Sequence, residues 1–264
     1  MSPFAFHRAA NVAAAQTLRQ QNADSSYLAG GQSLLGAMKL GLAAPSDLID
    51  LSGLPGLADI RLEGPALRIG ALATHAQVAA SAEVLQHIPA LACLASGIAD
   101  PAVRSRGTLG GSLANNDPAA CYPAAVLGLG ATVHTALRDI AAHAFFLGLY
   151  ETALQPGELI TGVSFPEPQR AAYLKFKQPA SRFALVGVFV SQGPQGVRVA
   201  VTGAGPCVFR ATVLEQALEN SFTAQALDGV ELSADGMNND LHGSAAYRAH
   251  LVGVLAKRAV AQAG

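Results

Sequence analysis

Thr108-Leu109-Gly110-Gly111-Ser112-Leu113-Ala114-Asn115 answers an earlier stretch of the same chemistry, Ala29-Gly30-Gly31-Gln32-Ser33-Leu34-Leu35. Each places two glycines where a short apolar segment turns, with hydroxyl and amide side chains beside them. Glycine lets main-chain N–H groups approach a ligand without a Cβ in the way. Turned N–H groups with a hydroxyl alongside form an anion-binding concavity that needs no lysine. One Gly-Gly alone reads as an ordinary turn. Two with matched flanks predict a grip on both sides of one extended diphosphate, and so a dinucleotide. No G-x-G-x-x-G follows a strand and no G-x-x-x-x-G-K-[ST] occurs, which removes the Rossmann and P-loop templates.

Working outward, Asn11 is placed to cap a helix to about Gln21, with Val12, Ala15 and Leu18 on one face. A short strand at Tyr27-Leu28-Ala29 enters the first loop. A helix from about Ser33 ends near Lys39-Leu40 before Gly41, and Leu48–Leu51 is the returning strand. That unit sets the loop amides at a helix N-terminus, where an anion is favoured. Ile60–Leu62 and Ala66–Ile69 around Glu63-Gly64-Pro65 predict a hairpin. Thr74-His75-Ala76-Gln77 has capping-box spacing for a helix to about Leu85. A second helix runs from Pro89 to Ala99, closed by Asp100-Pro101. Beyond Phe165-Pro166-Glu167-Pro168 the chain restarts. Phe183–Val190 and Val197–Val201 read as strands about a Gly193–Gly196 turn, and Ala211–Glu219 and Ala245–Ala261 as helices. The polar stretch Asp228–Gly243 between those helices is expected to be irregular.

Composition narrows the function. The 264 residues are 51% hydrophobic and 13% charged, which supports a sizeable core. A net charge of −1 offers no basic field for nucleic acid or an anionic membrane. No apolar run reaches the roughly 18 residues of a membrane span. Cys93, Cys121 and Cys207 are dispersed, without a C-x-x-C pair, so they read as reduced thiols and predict no zinc or iron–sulfur site in this chain. The N-terminal residues carry no export-signal pattern, and a cytoplasmic location is expected.

The ordered motifs Phe4–Arg8, Leu28–Leu34, Asp47–Leu51, Ile69–His75, Ile98–Arg104, Gly107–Ser112, Pro156–Ile160, Lys175–Lys177 and Ser244–Arg248 span nearly the whole chain. Together they resemble the medium, flavin-carrying subunit of the molybdenum hydroxylases, of carbon monoxide dehydrogenase and xanthine dehydrogenase type. The resemblance implies an α+β, vanillyl-alcohol oxidase-like (PCMH-type) FAD-binding fold. Residues 1–168 would form the FAD domain, with subdomains at about 1–58 and 59–168. Residues 169–264 would form a C-terminal flavoprotein domain with a small antiparallel sheet and helices. It further implies an oxidoreductase component that does not oxidise substrate itself. Electrons would come from two [2Fe–2S] clusters in a small subunit, downstream of a molybdenum cofactor in a large one, in a dimer of heterotrimers.

Carried over by position, the resemblance places Ala29, Gly30, Gly31, Gln32, Ser33 and Leu34 along FAD. Thr108, Gly110, Gly111, Ser112 and Asn115 face them, Thr108 and Ser112 through their hydroxyls. Ile160 and Lys177 would lie against the flavin rings and Phe183 would cover them, while no residue of this chain is assigned a catalytic or metal-binding role. Two departures stand out. Cys121 occupies a position where the family commonly has an aspartate, leaving either Asp117 in its place or the contact absent, and Arg182 one where an acidic residue is common. His75 reads as a helix-start packing residue rather than a covalent flavin anchor. The rival reading is a free-standing flavin reductase or oxidase of the same fold, and it lacks a convincing acid–base constellation. The substrate of the complex (carbon monoxide, an aldehyde, a purine or another N-heterocycle) and its acceptor (oxygen, NAD, a quinone or a cytochrome) stay open.

Overall fold

A computed structural model describes residues 2–263. Asn11 starts the first helix as its spacing predicts: its side-chain oxygen accepts from the Ala14 N–H at 2.8 Å. The elements that follow are β1 (Ala5–Arg8), α1 (Val12–Gln21), β2 (Ser26–Leu28), α2 (Leu34–Lys39) and β3 (Asp47–Asp50). The three strands form a parallel sheet in the order β1-β3-β2. Ala15 of α1 is fully buried, and Val12, Leu18 and Tyr27 pack with Ile49 and Leu51. Strand β1 has no counterpart in the periodicity, because four half-polar residues leave no pattern to read. Gly41 closes α2 at φ +73°.

A five-stranded antiparallel sheet comes next, in the order β4-β5-β10-β6-β7. It is built from β4 (Ile60–Glu63), β5 (Ala66–Gly70), β6 (Thr132–Thr135), β7 (Asp139–Ala141) and β10 (Ile160–Pro166). Between β5 and β6 run six short helices: α3 (His75–Ala80), α4 (Ala82–His87), α5 (Pro89–Ser96), α6 (Pro101–Arg104), α7 (Leu109–Asn115) and α8 (Tyr122–Gly128). The hairpin β8 (Phe146–Gly148) and β9 (Glu151–Thr152) precedes β10. Thr74 and Gln77 form the expected capping box, but the helix breaks before Leu85. Ser81 takes ψ 130° and its side chain accepts from the Val84 N–H, so it caps a new helix instead of continuing the old one. Asp100-Pro101 ends the preceding helix region and also begins α6, with Asp100 as its N-cap.

The last sheet has the order β11-β12-β13-β14, from β11 (Arg170–Lys177), β12 (Ala184–Gly193), β13 (Gly196–Thr202) and β14 (Phe209–Arg210). Strand β12 is a continuous apolar run because both faces are covered. Val186, Val188 and Val190 pack with α9 (Thr212–Glu219) and α10 (Ala245–Ala263), while Phe189 enters the core that contains α5 and α8. Residues 228–243 carry neither helix nor strand, as expected. Buried Arg248 pins them, donating to both Asp240 carboxylate oxygens at 2.8 Å and to the carbonyls of Leu185 and Gly203. No helix among the described residues is long and apolar enough to cross a membrane.

Candidate functional site

The two glycine segments meet. An ideal Cβ on Gly30 would sit 1.9 Å from the Arg106 carbonyl oxygen and 3.0 Å from the Gly107 Cα. Only a residue without a side chain permits that approach of two main chains. Beside this junction lies a groove of about 920 Å³, at the upper end of the range for small-molecule sites and roomy enough for a dinucleotide. One wall is 26–34 and the other 98–117. The 180–183 turn between β11 and β12 lines the groove as well.

The walls offer different chemistry. Among the described residues, the N–H groups of Gly30, Gly31 and Gln32 donate to no acceptor within the chain, although all three residues line the groove. Gly31 holds φ +74°, which turns successive amides toward one side. The second segment is not a loop: Gly110 and Gly111 lie in the first turn of α7. Its amides are already engaged. Leu109 and Gly110 donate to the carbonyls of Ala73 and Ala71, Gly111 to the Thr108 hydroxyl oxygen, and Ser112 to the Thr108 carbonyl. What this wall presents is the side chains of Thr108, Ser112 and Asn115. Free amides thus face hydroxyls and an amide side chain, a donor set suited to a diphosphate with no cation in contact.

His75, which also lines the groove, is 5% exposed, and its Nδ1 has no hydrogen-bond partner. Burial, with Arg104 nearby, pulls the imidazole down to about 4, so it is neutral at physiological pH. Its ring packs 5.3 Å from that of Tyr122, and its edge lies over Gly107, where a Cβ would approach Nε2 to 2.5 Å. The Lys175 ammonium donates to Cys121 Sγ at 3.3 Å and to the Arg182 carbonyl at 3.0 Å. Arg182 sits at φ +61°, and its guanidinium reaches the Ala99 carbonyl across the groove at 3.2 Å. Phe183, 46% exposed, lines the groove too.

Twelve of the residues expected at the site line the groove: Ala29, Gly30, Gly31, Gln32, Ser33, Leu34, Thr108, Gly111, Ser112, Asn115, Asp117 and Phe183. Three do not. Gly110 is buried against Ala71, whose Cβ leaves no room for another at 2.6 Å; it is a packing glycine. Ile160 begins β10, the central strand of its sheet, and is buried in the core. Lys177 is exposed at the end of β11, beyond a register shift between Phe176 and Lys177 that breaks the alternation and turns it from the groove. Lys175, two residues earlier, takes the groove position. The sequence signal for Lys175 was its alternation with buried Tyr173, which is readable only once the bulge is located. Cys121 joins the wall as well, while Asp117 is partly engaged, its carboxylate accepting from the Ala119 N–H at 2.8 Å.

The family described as the FAD binding domain in molybdopterin dehydrogenase matches residues 2–168, and the carbon monoxide dehydrogenase flavoprotein C-terminal domain matches 171–263. The nicotine 6-hydroxylase medium subunit of Paenarthrobacter nicotinovorans is 36% identical over 97% of this chain and 95% of its own length. The carbon monoxide dehydrogenase medium chain of Hydrogenophaga pseudoflava is 34% identical over 97% of this chain and 96% of its own. A crystal structure of a cyanide-inactivated Cu,Mo-CO dehydrogenase superposes with a TM-score of 0.92 at 32% identity, covering 100% of this chain and 99% of the other. The chain belongs to the FAD-binding, medium-subunit family of the molybdenum hydroxylases.

Proposed function

We propose that this chain, a flavoprotein oxidoreductase component of that family, holds one FAD non-covalently along the groove. In this reading it relays electrons from the [2Fe–2S] clusters of a small subunit to an external acceptor. The observation that carries the reading is the unpartnered amide run Gly30–Gln32 facing Thr108, Ser112 and Asn115 across a groove of dinucleotide size. The amides of Gly30, Gly31 and Gln32, with the Ser33 hydroxyl, hold the diphosphate from one side. The hydroxyls of Thr108 and Ser112 donate from the other, and Ala29 and Leu34 supply apolar walls.

Phe183 and the 180–183 turn limit solvent access at the ring end, and Lys175 replaces Lys177 as the lysine facing the cofactor. Bound FAD would supply a redox group able to collect electrons singly and release them as a pair, while the protein supplies binding and tuning. The division into 1–168, with its two subdomains, and 169–264 is part of the same proposal, supported by the separate family matches. So are the large molybdenum subunit, in keeping with relatives named as medium subunits, the dimer of heterotrimers and the cytoplasmic setting.

The test is anaerobic. The chain, loaded with FAD, is mixed with the complex's substrate, first alone and then with the small and large subunits. Flavin absorbance is expected to bleach only when the partners are present. Rapid bleaching of the isolated chain would show that it carries its own substrate site and would end the relay reading. Release of FMN instead of FAD on denaturation would overturn the dinucleotide assignment.

A further inference from the structure

Lys175 differs from the other polar groups of the groove in what surrounds it. Strand alternation turns Tyr173 and Lys175 to the face of the sheet covered by α5 and α8, with Cys121 at the start of α8. The ammonium is held from two directions, by the Cys121 sulfur at 3.3 Å and the Arg182 carbonyl at 3.0 Å. Among the described residues no carboxylate forms an ion pair with it. The carboxylates that line the groove are occupied elsewhere: Asp100 accepts from the Val103 N–H and Asp117 from the Ala119 N–H. Tyr173, packed beside Cys121, is 5% exposed with a hydroxyl that finds no partner, and burial keeps that phenol protonated. An ammonium has three donors. Two are fixed here, so the side chain is immobilised with its charge uncompensated toward the groove.

We propose that Cys121 and Lys175 are a charge-setting pair: a thiol stands where a carboxylate would complete an ion pair, and the lysine therefore makes the ring end of the groove electropositive and raises the reduction potential of the flavin held there. The pair rests on the FAD reading above. A flavin ring that takes two electrons and one proton gains one negative charge. A fixed cation in a partly desolvated groove favours that form more than it would in water. Lys175 is thus a positioning residue for charge, and Cys121 acts through it.

The experiment uses the full chain loaded with FAD, titrated anaerobically with dithionite against a reference dye, with FAD content per chain measured on release. Cys121→Asp supplies the missing carboxylate and should lower the equilibrium constant for reduction at least ten-fold, which is about 30 mV for a two-electron couple. Lys175→Gln should move it the same way, and Lys175→Arg should restore it. Cys121→Ser, which adds no charge, should hold the wild-type potential. If Cys121→Asp fails to retain FAD, the comparison of Lys175→Gln with Lys175→Arg decides the matter. Wild-type potential in FAD-replete Cys121→Asp and Lys175→Gln proteins would overturn the pair while leaving the FAD reading intact. So would a raised potential in Cys121→Ser, since the sulfur would then be the compensating charge. A wild-type chain that takes up no FAD would overturn both.

Discussion

Replacing Gly30 with alanine tests the junction on which the groove depends. The new Cβ would lie 1.9 Å from the Arg106 carbonyl oxygen and 2.7 Å from its carbon. Ordinary contact needs about 3.4 Å or more, so the two main chains must separate by more than about 1 Å. The Arg106 side cannot retreat freely. The N–H groups of Arg106 and Gly107 donate to the Val103 carbonyl, and the Gly107 carbonyl accepts from the His75 N–H. Overpacking of this kind costs about 1–3 kcal/mol, and each main-chain hydrogen bond lost adds about 1 kcal/mol. Because the displaced segment is the amide run itself, we expect the cost to fall mainly on FAD binding. A loss of about 2–3 kcal/mol weakens binding by roughly 30- to 150-fold.

The assay is quenching of flavin fluorescence on titration of FAD-depleted protein, with thermal unfolding in parallel. Gly36→Ala is the internal control. It lies within α2 with nothing within 4 Å of the added methyl, so it should leave FAD affinity unchanged and stabilise by up to about 1 kcal/mol. Wild-type affinity in a folded Gly30→Ala protein would refute the contact-based argument.

Two further outcomes concern His75 and Phe183, which both line the groove. His75 has its folded pKa pulled to about 4, below the unfolded value, so it contributes stability above pH 6.5 that is lost as the pH falls through that window. At pH 5 the loss relative to pH 7 should be about 2 kcal/mol; an equal loss in His75→Gln, measured by thermal unfolding of FAD-free protein, would assign the slope to other groups. Phe183→Ala should retain FAD yet speed reoxidation of the reduced flavin by oxygen several-fold in stopped-flow traces. Unchanged rates would return Phe183 to a packing role.

The legible parts of the fold were those with a local cause. Asn11, Thr74 and Asp100 cap helices because a short polar side chain can satisfy an N–H two or three residues away. The Gly193–Gly196 turn is likewise written in four consecutive residues, with Gly196 at φ +85°. Elements defined by partners were harder. The first half of β11 and all of β10 take their form from strands far along the chain. The break at Ser81 pits one helix cap against propagation of the helix before it, and the residue types alone leave that contest undecided. Of the groove's lining, the two glycine segments and Phe183 could be named by position, but Lys175 could not be separated from Lys177. The bulge at Phe176 that distinguishes them is a property of the pairing with β12.

The glycines state the limit most sharply, because the two Gly-Gly motifs look alike in sequence and do four different things. Gly30 admits another main chain, and Gly31 supplies a positive φ that an L side chain rarely adopts. Gly110 makes room for Ala71 and never reaches the groove. Gly111 is exposed to the groove with its N–H committed to Thr108. Symmetric motifs therefore yield an asymmetric grip, with amides on one wall and side chains on the other. This asymmetry has a mechanical consequence. The amide wall is a loop whose N–H groups hold no partner among the described residues and which touches the other wall at Gly30, whereas that opposite wall is fixed by the bonds of 107–112 to Ala71, Ala73 and His75. In the FAD reading proposed above, the diphosphate is therefore expected to take its position from the fixed side.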